Sequence, residues 1–417
     1  MSEARGLPQS CDVAIVGGGP AGLAAAAELK DRGIGRVLVL DREPAAGGIP
    51  RHCGHYPFGM REFHRVLRGP DYAERLVARA QAAGAEIHSG VTVTGLQPGA
   101  RLSLTTPDGP AELAAKRVLL CTGVRETSRA ARLIGGQRPL GVIPTGALQS
   151  MVYLEGVRPF ERPVILGSEL VSFSALLTCR HAGIRPQAMI EANPRITARA
   201  FALGLPRLLG VPVHLGSDLE RILGRERVEG VVLRDDQGHQ RDLACDGVLV
   251  TGRFTPEATL ARMGHLELDA GTGGPRVDQD GRSSDPDCYV AGNLLRPVET
   301  AGWSWQEGVR VAGRLAESLA RSRPSEDTVV LQPGEAVRYV VPQRVTLPLE
   351  TAALERIQLR VMRPVRGRLV LRSAGRLLWG RRLSALPERR ILLPLDVLRH
   401  AVPGHPVEVS FEEEDGR

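Results

Sequence analysis

The sequence of 417 residues predicts an α/β protein with two three-layer lobes, each built on a parallel sheet with a β-meander, followed by a small antiparallel β-sandwich. Three observations lead to this prediction. A strand–glycine turn–helix–strand pattern fills residues 12–41, a similar pattern starts at Pro163, and short β-type runs separated by Pro and Gly turns follow Val329. A chain of this length exceeds a single hydrophobic core, so several domains are expected.

The first pattern has the features of a dinucleotide-binding βαβ unit. The run Asp12–Val16 predicts a buried strand, the following GGGPAG matches G-x-G-x-x-G, and Arg36–Leu40 predicts a second strand that ends at an acid, Asp41. In such a unit the glycines allow a tight turn, a close pyrophosphate and close helix packing, and the helix N-terminus offers free N–H groups to the phosphates. We therefore predict a Rossmann-like dinucleotide-binding lobe. Its predicted contacts are Gly17, Gly19, Pro20, Ala21, Gly22 and Asp41.

The pattern repeats after Pro163 with changes at two of the three glycine positions. A predicted strand leads into GSELVS, residues 167–172, in which Glu169 and Ser172 replace the second and third glycines. A carboxylate would lie where a pyrophosphate binds and would repel it, and the serine would crowd the helix against the strand. NAD(P) binding in this second Rossmann-like lobe is therefore doubtful, although Glu191 ends the next predicted strand where a ribose-binding acid would lie.

Composition and charge argue against several classes of protein. Aromatic residues make up only 4% and nearly all basic residues are Arg, so we attribute the net charge of +7 to compositional bias and expect no nucleic-acid binding. Residues 1–11 lack the apolar core of a signal peptide, and no apolar run reaches the roughly 20 residues of a membrane span, so a cytoplasmic protein is expected. The six cysteines form no C-x-x-C pair, so we expect no metal site, no iron–sulfur cluster and no local disulfide in this chain.

The layout of residues 11–321 resembles the two-dinucleotide-binding-domain flavoproteins of the pyridine nucleotide–disulfide oxidoreductase superfamily. Besides the glycines and the acid, Thr122-Gly123 matches the family's Ala-Thr-Gly-type segment, and Gly292-Asn293 matches its Gly-Asp segment, whose Asp holds the ribityl chain. The resemblance implies FAD in the first lobe and NAD(P)H in the second. It adds as FAD-binding candidates Arg42, Gly48, Arg51, Val93, Thr122, Gly123, Gly292, Asn293, Ala301 and Gly302.

The same layout gives the expected domain boundaries. Residues 1–135 and 253–325 are expected to form the FAD-binding domain, residues 136–252 the second dinucleotide-binding domain with its degraded motif, and residues 330–417 the β-sandwich. The two lobes already make a complete flavoprotein in this layout. We therefore expect the sandwich not to be needed for FAD binding.

A long helix is predicted to complete the first lobe, from about Gly302 to Leu319. Ser304 and Glu307 within it have the spacing of a capping box. By resemblance, the N–H groups at the start of this helix point at the edge of the flavin that is negatively charged when reduced. Glu299, just before the helix, is a weaker catalytic candidate and is interpreted as a loop acid.

Four segments resemble a narrower group of flavoprotein subunits, namely RHCGHYPFG (51–59), RGPDYAERL (68–76), TGRFTPEA (251–258) and AGNLLRPVETAGW (291–303). The group is related to hydrogen cyanide synthase, opine oxidase and a partner of anaerobic glycerol-3-phosphate dehydrogenase. Such subunits typically work beside a second flavoprotein or a small iron–sulfur subunit. The resemblance implies an FAD-dependent oxidoreductase acting on a small amine, an imino acid or opine, or a polyol-type substrate. Two alternatives stay open: an NAD(P)H-dependent flavin reductase, and a non-catalytic FAD-holding subunit that relays electrons.

The segment after Gly48 holds the candidates for catalysis, because in this superfamily it approaches the flavin. His52 and His55 could act as bases, since the pKa of a histidine lies close to working pH. They could equally hold the loop by hydrogen bonds or contact the FAD phosphates. Cys53 has no cysteine partner in range for dithiol chemistry, so a structural role is favoured for it over a catalytic one.

The C-terminal module carries many arginines that we predict to look outward. Compositional bias explains them as a solvated surface, and the docking of a partner protein explains them equally, because Arg is favoured at interfaces. These residues are Arg356, Arg360, Arg366, Arg368, Arg372, Arg376, Arg381, Arg382, Arg389 and Arg390.

Overall fold

The computed structural model describes residues 7–320, 327–349 and 351–413. Its α-helices are α1 (Pro20–Asp31), α2 (Gly69–Ala82), α3 (Thr145–Tyr153), α4 (Leu170–His181), α5 (Gly204–Leu208), α6 (Thr259–Met263) and α7 (Ala301–Ala320). The strands up to the first crossing between the lobes are β1 (Ser10–Val16), β2 (Val37–Asp41), β3 (Glu86–Ser89), β4 (Thr92–Gln97), β5 (Arg101–Thr106), β6 (Gly109–Leu120) and β7 (Val124–Glu126).

The remaining strands follow in two groups. Those up to the last long helix are β8 (Gly135–Gly136), β9 (Val142–Pro144), β10 (Pro163–Leu166), β11 (Ala188–Glu191), β12 (Val213–Leu215), β13 (Ser217–Leu223), β14 (Gly230–Asp235), β15 (Gln240–Ala244), β16 (Gly247–Val250), β17 (Phe254–Pro256) and β18 (Cys288–Val290). Those after it are β19 (Asp327–Pro333), β20 (Val337–Val341), β21 (Arg344–Leu347), β22 (Arg356–Val361), β23 (Val365–Ser373), β24 (Arg376–Ala385), β25 (Ile391–Pro394) and β26 (Val407–Glu413).

The first lobe is built on a parallel sheet in the order β3-β2-β1-β6-β18. The first half of the long strand β6 extends this sheet into the antiparallel meander β4-β5-β6. Strand β1 lies between two neighbours, so its apolar side chains are buried on both faces. Helix α1 follows β1 and α7 follows β18, and the two helices pack together where Gly308 approaches the backbone of Ala21. The N-termini of α1 and α7 therefore lie near each other at the carboxyl edge of the sheet.

The second lobe repeats this plan, as the sequence predicts. Its parallel sheet has the order β12-β11-β10-β16-β9, and its meander pairs β15, β14, β13 and the short β8. The two connections between the lobes, β7 and β17, pair antiparallel with each other. The predicted α/β architecture with two lobes is confirmed, and the exact domain boundaries stay a prediction.

The C-terminal module is a sandwich of two sheets, β21-β19-β26-β23-β24 and β20-β22-β25. All of these pairs are antiparallel except β19 with β26, which run parallel. Apolar side chains of both sheets, such as Val345, Leu359 and Leu369, form the core between them. The predicted β-sandwich is thus confirmed with one parallel pair.

The sandwich also shares a hydrophobic core with the first lobe. Tyr339, Val341 and Leu354 are buried in one cluster with Leu294 and Leu295, which lie between β18 and α7. Buried hydrogen bonds join the same surfaces: Gln279 Oε1 accepts the Thr346 N–H at 2.9 Å, and Gln343 Oε1 accepts the Val277 N–H at 3.0 Å. The module is therefore packed into the first lobe and is not a loosely tethered appendage.

The start of α7 differs from the sequence prediction. The helix begins at Ala301, and the Thr300 carbonyl accepts the N–H groups of Trp303 and Ser304, each at 3.0 Å. Ser304 therefore lies inside the first turn, and the predicted capping box of Ser304 and Glu307 is wrong. None of the helices in the described parts of the chain is long and apolar enough to cross a membrane.

Candidate active site

The glycine turn of the first lobe forms an open cradle at the N-terminus of α1. Gly19 is the residue before the helix, with an extended backbone (φ −83°, ψ −174°) and no side chain capping the helix N–H groups. A Cβ atom added to Gly19 would meet only the Gly48 Cα, at 3.9 Å. Gly17 differs, because its φ of +106° favours glycine and its Cβ would strike the Cys121 carbonyl. The space at Gly19 is thus available to a ligand, and the N–H groups facing it suit an anion.

The acid at the end of β2 is fixed beside this cradle. Asp41 is buried and accepts hydrogen bonds from the N–H of Gly18 at 2.8 Å and of Glu43 at 2.9 Å. Burial raises its pKa, and the two N–H donors act against that rise. Arg42 lies outside the cradle, exposed and 3.6 Å from Glu43.

The loop after β2 folds back onto the glycine turn. The Gly47 N–H donates to the Gly18 carbonyl at 2.7 Å, and the stem of Arg51 packs where a Gly47 side chain would lie. This places Gly48 and Arg51, both predicted contacts, next to the cradle. A single 3-10 turn, Ile49–His52, then carries the chain to the catalytic candidates.

Three further FAD-binding candidates, Thr122, Gly123 and Val93, lie on strand β4 or just after strand β6 of the same lobe. The Thr122 hydroxyl donates to the Glu257 carbonyl at 2.8 Å, and the Glu257 N–H donates to the Gly123 carbonyl at 2.9 Å. These two hydrogen bonds connect the segment before β7 to the residue that follows β17. Val93 lies on β4 and packs, partly buried, against the core of the first lobe.

The loop between β18 and α7 brings the remaining candidates to the cradle. Gly292 has φ +76° and lies against Ala21, and its N–H donates to Glu307 Oε1 at 2.9 Å. Asn293 makes a reciprocal pair with Glu299: its Nδ2 donates to the Glu299 carbonyl at 3.0 Å and its Oδ1 accepts the Glu299 N–H at 2.6 Å. The amide of Asn293 therefore closes this loop, in addition to any contact with a cofactor.

The first turn of α7 is covered by the segment after His55. A Cβ atom at Gly302 would lie 3.1 Å from Glu62 Oε1 and 3.4 Å from Arg61 Cδ. Glu62 is itself held by the Tyr72 hydroxyl at 2.6 Å. Ala301 and Gly302 thus occupy the predicted position at the helix start, next to a charged and aromatic wall.

The two histidines have different environments. His52 is partly buried, its inaccessible Nε2 has no hydrogen-bond partner among the described residues, and burial together with nearby Arg51 lowers its pKa. It is therefore neutral at pH 7 and can accept a proton there. His55 is partly exposed, with Nδ1 3.1 Å from the Tyr56 carbonyl and its ring centroid 5.4 Å from that of Phe58.

Cys53 is a packed thiol between the lobes. It is 6% exposed, its Sγ lies 3.6 Å from Gln149 Oε1 of α3, and burial raises its pKa to about 12. The remaining cysteines of the chain are also buried and unpaired. The geometry supports the structural interpretation of Cys53 and offers no dithiol for disulfide chemistry.

The corresponding cradle of the second lobe is filled by the chain itself. Glu169 Oε1 accepts the Arg253 N–H at 2.8 Å, and the Glu169 carboxylate fills the space that a Cβ at Gly252 would need. In the first lobe the matching position, Gly123, has nothing within 4 Å of such a Cβ. Glu191 is likewise occupied, because it accepts hydrogen bonds from Ser168, Asn193 and Thr197.

A family model described as pyridine nucleotide-disulphide oxidoreductase matches residues 11–309. The chain belongs to this family. Membership makes it an FAD-dependent oxidoreductase by class, as the sequence predicts.

The chain is also similar to curated relatives and to solved structures. It is 28% identical to a subunit of opine oxidase from Agrobacterium tumefaciens (strain Ach5), over 77% of this chain and 67% of the relative. It is 26% identical to hydrogen cyanide synthase subunit HcnB of Pseudomonas aeruginosa, over 72% of this chain and 69% of the relative. Across three such opine oxidase subunits, the chain spans 42 to 67% of their length. The structure of T. acidophilum thioredoxin reductase matches 75% of this chain and all of its own, with a TM-score of 0.63 and 22% identity, which shows a shared fold.

The first lobe of this family member fits FAD. The cradle is open at Gly19, the start of α1 is uncapped, and Asp41 lies beside it. Two buried polar atoms in the segments that flank the cradle, His52 Nε2 and Ser304 Oγ, have no partner within the described residues, and a bound ligand would be able to supply one. FAD would supply the electron chemistry at this site, and the chain would supply binding and orientation.

Sequence reasoning missed Arg296 and Glu126 and gave Glu307 a different role. Glu307 accepts from Gly292 and pairs with the buried Arg296, with Nη2 to Oε2 at 2.5 Å. Glu126 on β7 accepts the N–H groups of Gly146 at 2.8 Å and Gly252 at 3.0 Å. These pairs join residues 11 to 126 positions apart in the sequence, and none of these spacings forms a local pattern.

Cys53→Ala is expected to leave the FAD content of the protein unchanged. Burial raises the pKa of Cys53 to about 12, so the thiol stays protonated at pH 7 and offers no thiolate nucleophile. The native protein is therefore expected to react with a thiol reagent at this position only on unfolding. Rapid labelling of Cys53 in the folded protein, located by mass spectrometry, would contradict this assignment.

Proposed function

We propose that the protein is an FAD-dependent oxidoreductase subunit that oxidises a small amine, an imino acid or opine, or a polyol-type substrate, and passes the electrons to a partner subunit or acceptor. One observation carries the proposal: the nucleotide cradle of the first lobe is open, whereas that of the second is filled by Glu169. A flavin that receives no electrons from NAD(P)H must receive them from another donor. The relatives named opine oxidase and hydrogen cyanide synthase support an organic substrate.

His52 is the best candidate for a proton acceptor in this reaction. Its buried, unpartnered Nε2 and lowered pKa leave it neutral at pH 7, which is the form that accepts a proton. His55 stays a second candidate, with a partly exposed ring in the same segment. Oxidation of an amine or an alcohol releases a proton as well as two electrons, so a base beside the flavin would assist it.

A partner subunit is part of this proposal. Both curated relatives described above are subunits by name, which supports assembly with a second chain. The two candidates, which the resemblance to this group of subunits implies, are a second flavoprotein and a small iron–sulfur subunit. A cytoplasmic location stays a prediction from the sequence.

Anaerobic reduction of the bound flavin tests the proposal directly. The protein with FAD is mixed with a panel of secondary amines, opine-like imino acids and polyol phosphates, alone and with a co-purified partner, and the flavin absorbance is followed. Bleaching by one class identifies the substrate class. A flavin that no substrate reduces, with or without the partner, would favour the electron-relay alternative.

NADH and NADPH are expected to reduce the flavin slowly or not at all. The Glu169 carboxylate occupies the second cradle and would repel a pyrophosphate. We therefore expect little flavin reduction even when NADH or NADPH is added at about 1 mM, which is the upper end of usual KM values. Stopped-flow absorbance of the anaerobic protein measures this. Rapid bleaching would instead support the alternative of an NAD(P)H-dependent flavin reductase.

A matched variant can show whether Glu169 is the obstacle. Glu169→Gly with Ser172→Gly restores both glycines of the fingerprint, and Glu169 already has an extended backbone (φ −68°, ψ 167°) that glycine adopts freely. This variant is expected to gain measurable NADH binding. Glu161→Gly, an exposed acid before β10 in the same lobe, serves as the control and is expected to gain none.

A further inference from the structure

The loop between β18 and α7 is held from outside by the C-terminal sandwich. Glu299 in this loop is 8% exposed, and its Oε1 accepts a hydrogen bond of 2.7 Å from Gln358 Nε2 of β22. Its Oε2 is paired with the Arg390 guanidinium, just before β25. The Tyr339 hydroxyl donates to the Pro297 carbonyl of the same loop at 3.4 Å. Three side chains of the sandwich therefore contact one short loop of the first lobe.

Arg390 also reaches the helix that follows the loop. Its guanidinium lies 4.6 Å from the ring centroid of Trp303, in the first turn of α7. Arg61 lies 4.1 Å from the same centroid. Such contacts between a cation and an indole are attractive. Arg390 thus touches both the loop, through Glu299, and the start of α7, through Trp303.

The loop itself has little freedom beyond these contacts. The backbone of Glu299 is clamped to Asn293, which follows Gly292 at the end of β18, and the backbone of Gly292 is fixed by Glu307. A shift of Glu299 would therefore move the chain on both sides, at Gly292 and at Ala301. Gly292 borders the cradle, because it lies against Ala21 at the start of α1, and Ala301 is the first residue of α7.

We propose that Arg390 and Gln358 of the C-terminal sandwich are positioning residues of the flavin site, acting through Glu299 on the start of α7. The proposal rests on FAD binding in the first lobe. Neither residue is assigned contact with the cofactor. Their role is to neutralise and orient the Glu299 carboxylate, so that the loop and the helix N–H groups keep one arrangement toward the reduced, negatively charged flavin.

Glu299 is more deeply buried than Arg390, so removing one partner of this ion pair has a different effect from removing the other. Removal of Arg390 takes away the cation that contacts the buried Glu299 carboxylate and leaves only the more distant charge of Arg296 acting on it, which costs more than loss of an exposed ion pair. Removal of the Glu299 charge leaves Arg390 unbalanced instead, and the side chain of Arg390 is 27% exposed and partly solvated. The two changes therefore place charges of opposite sign near the start of α7.

The two substitutions are therefore expected to shift the flavin midpoint potential in opposite directions. Arg390→Met is expected to weaken FAD binding by about 10- to 100-fold, the cost of one buried unsatisfied group, and to lower the flavin midpoint potential, because a bare carboxylate opposes the anionic reduced flavin. Glu299→Gln is expected to weaken FAD binding only a few-fold and to raise the midpoint potential. Titration of the apoprotein with FAD and spectroelectrochemistry measure the two quantities.

Three further variants separate positioning from general damage. Arg390→Lys keeps the charge and is expected to restore most of the affinity and potential. Arg389→Met, at the exposed neighbour 4.0 Å from Glu388, is the matched control and is expected to match the unmodified protein. Gln358→Leu removes one donor to Glu299 and is expected to lower the potential less than Arg390→Met does.

The double variant Glu299→Gln with Arg390→Met completes the cycle. It removes both charges, so it is expected to bind FAD more tightly than Arg390→Met alone. Equal potentials in all folded variants, or affinities within twofold of the unmodified protein, would overturn the proposal. If Arg390→Met fails to fold, the midpoint potential of Glu299→Gln decides. A raised potential supports the proposal, and an unchanged or lowered potential overturns it. An unmodified protein that takes up no FAD would instead refute the proposed function.

Discussion

Gly19→Val is expected to abolish FAD binding while the protein keeps its fold. The backbone of Gly19 is extended, a conformation that valine adopts readily, and the nearest atom to an added Cβ is the Gly48 Cα at 3.9 Å. The fold therefore does not require glycine at this position. The requirement comes from the ligand, because a valine side chain would fill the space in which a pyrophosphate meets the helix N–H groups.

The measurement is the FAD content of the purified protein, one per chain for the unmodified protein and none for the variant, with circular dichroism to confirm the fold. Gly204→Val is the control, since Gly204 also has nothing within 4 Å of an added Cβ and begins the short helix α5 in the second lobe. Gly17 and Gly22 are unsuitable, because side chains there would strike neighbouring backbone. Full FAD content in folded Gly19→Val would place the cofactor elsewhere.

The glycine motif shows how much of the site could be predicted from sequence. Strand, turn, helix and acid follow one another within residues 12–41, and each has a local signal: an apolar run, a glycine spacing, a helix start and a strand end. The structure places Gly18, Gly19 and Asp41 together as that pattern requires. The obstruction by Glu169 was predictable for the same reason, because it alters the same local pattern.

The contacts around Glu299 could not be predicted in this way. Arg390 was predicted to look outward with the other arginines of the sandwich, and this is wrong, because its guanidinium turns to Glu299, 91 residues earlier in the chain. Gln358 reaches the same carboxylate from 59 residues away. Burial of a charged pair depends on which surfaces pack together, and no spacing or periodicity in either segment encodes that.

The capping box failed for a related reason. A Ser and a Glu three residues apart satisfy the pattern wherever they occur, but the first turn of α7 is set by the closed loop before it, which ends at Thr300. Glu307 then faces Gly292 and Arg296. The sequence pattern predicted the helix correctly and its cap incorrectly, because the Glu307 carboxylate binds Gly292 and Arg296 and does not cap the helix.

A chain ending at Ala320 is expected to lose FAD and to aggregate. The sequence suggested that the two lobes are complete without the sandwich, but the shared core argues against it. Tyr339, Val341 and Leu354 are buried against apolar residues of the first lobe, and each contributes about 1.5–3 kcal/mol when fully buried. Together they approach the 5–15 kcal/mol that typically separates a folded protein from its unfolded state.

Truncation would also strip the partners from buried polar groups of the first lobe. Gln279 would lose Thr346, and the Glu299 carboxylate would lose both Gln358 and Arg390. Solubility, thermal unfolding and FAD content of chain 1–320 measure the outcome, with Tyr339→Ala in the full chain as a milder variant expected to cost about 3–5 kcal/mol of stability. A soluble truncated chain with one FAD and an unchanged unfolding temperature would show that the sandwich serves only as a surface for a partner. An insoluble truncated chain would show that the sandwich is a structural wall of the flavin domain.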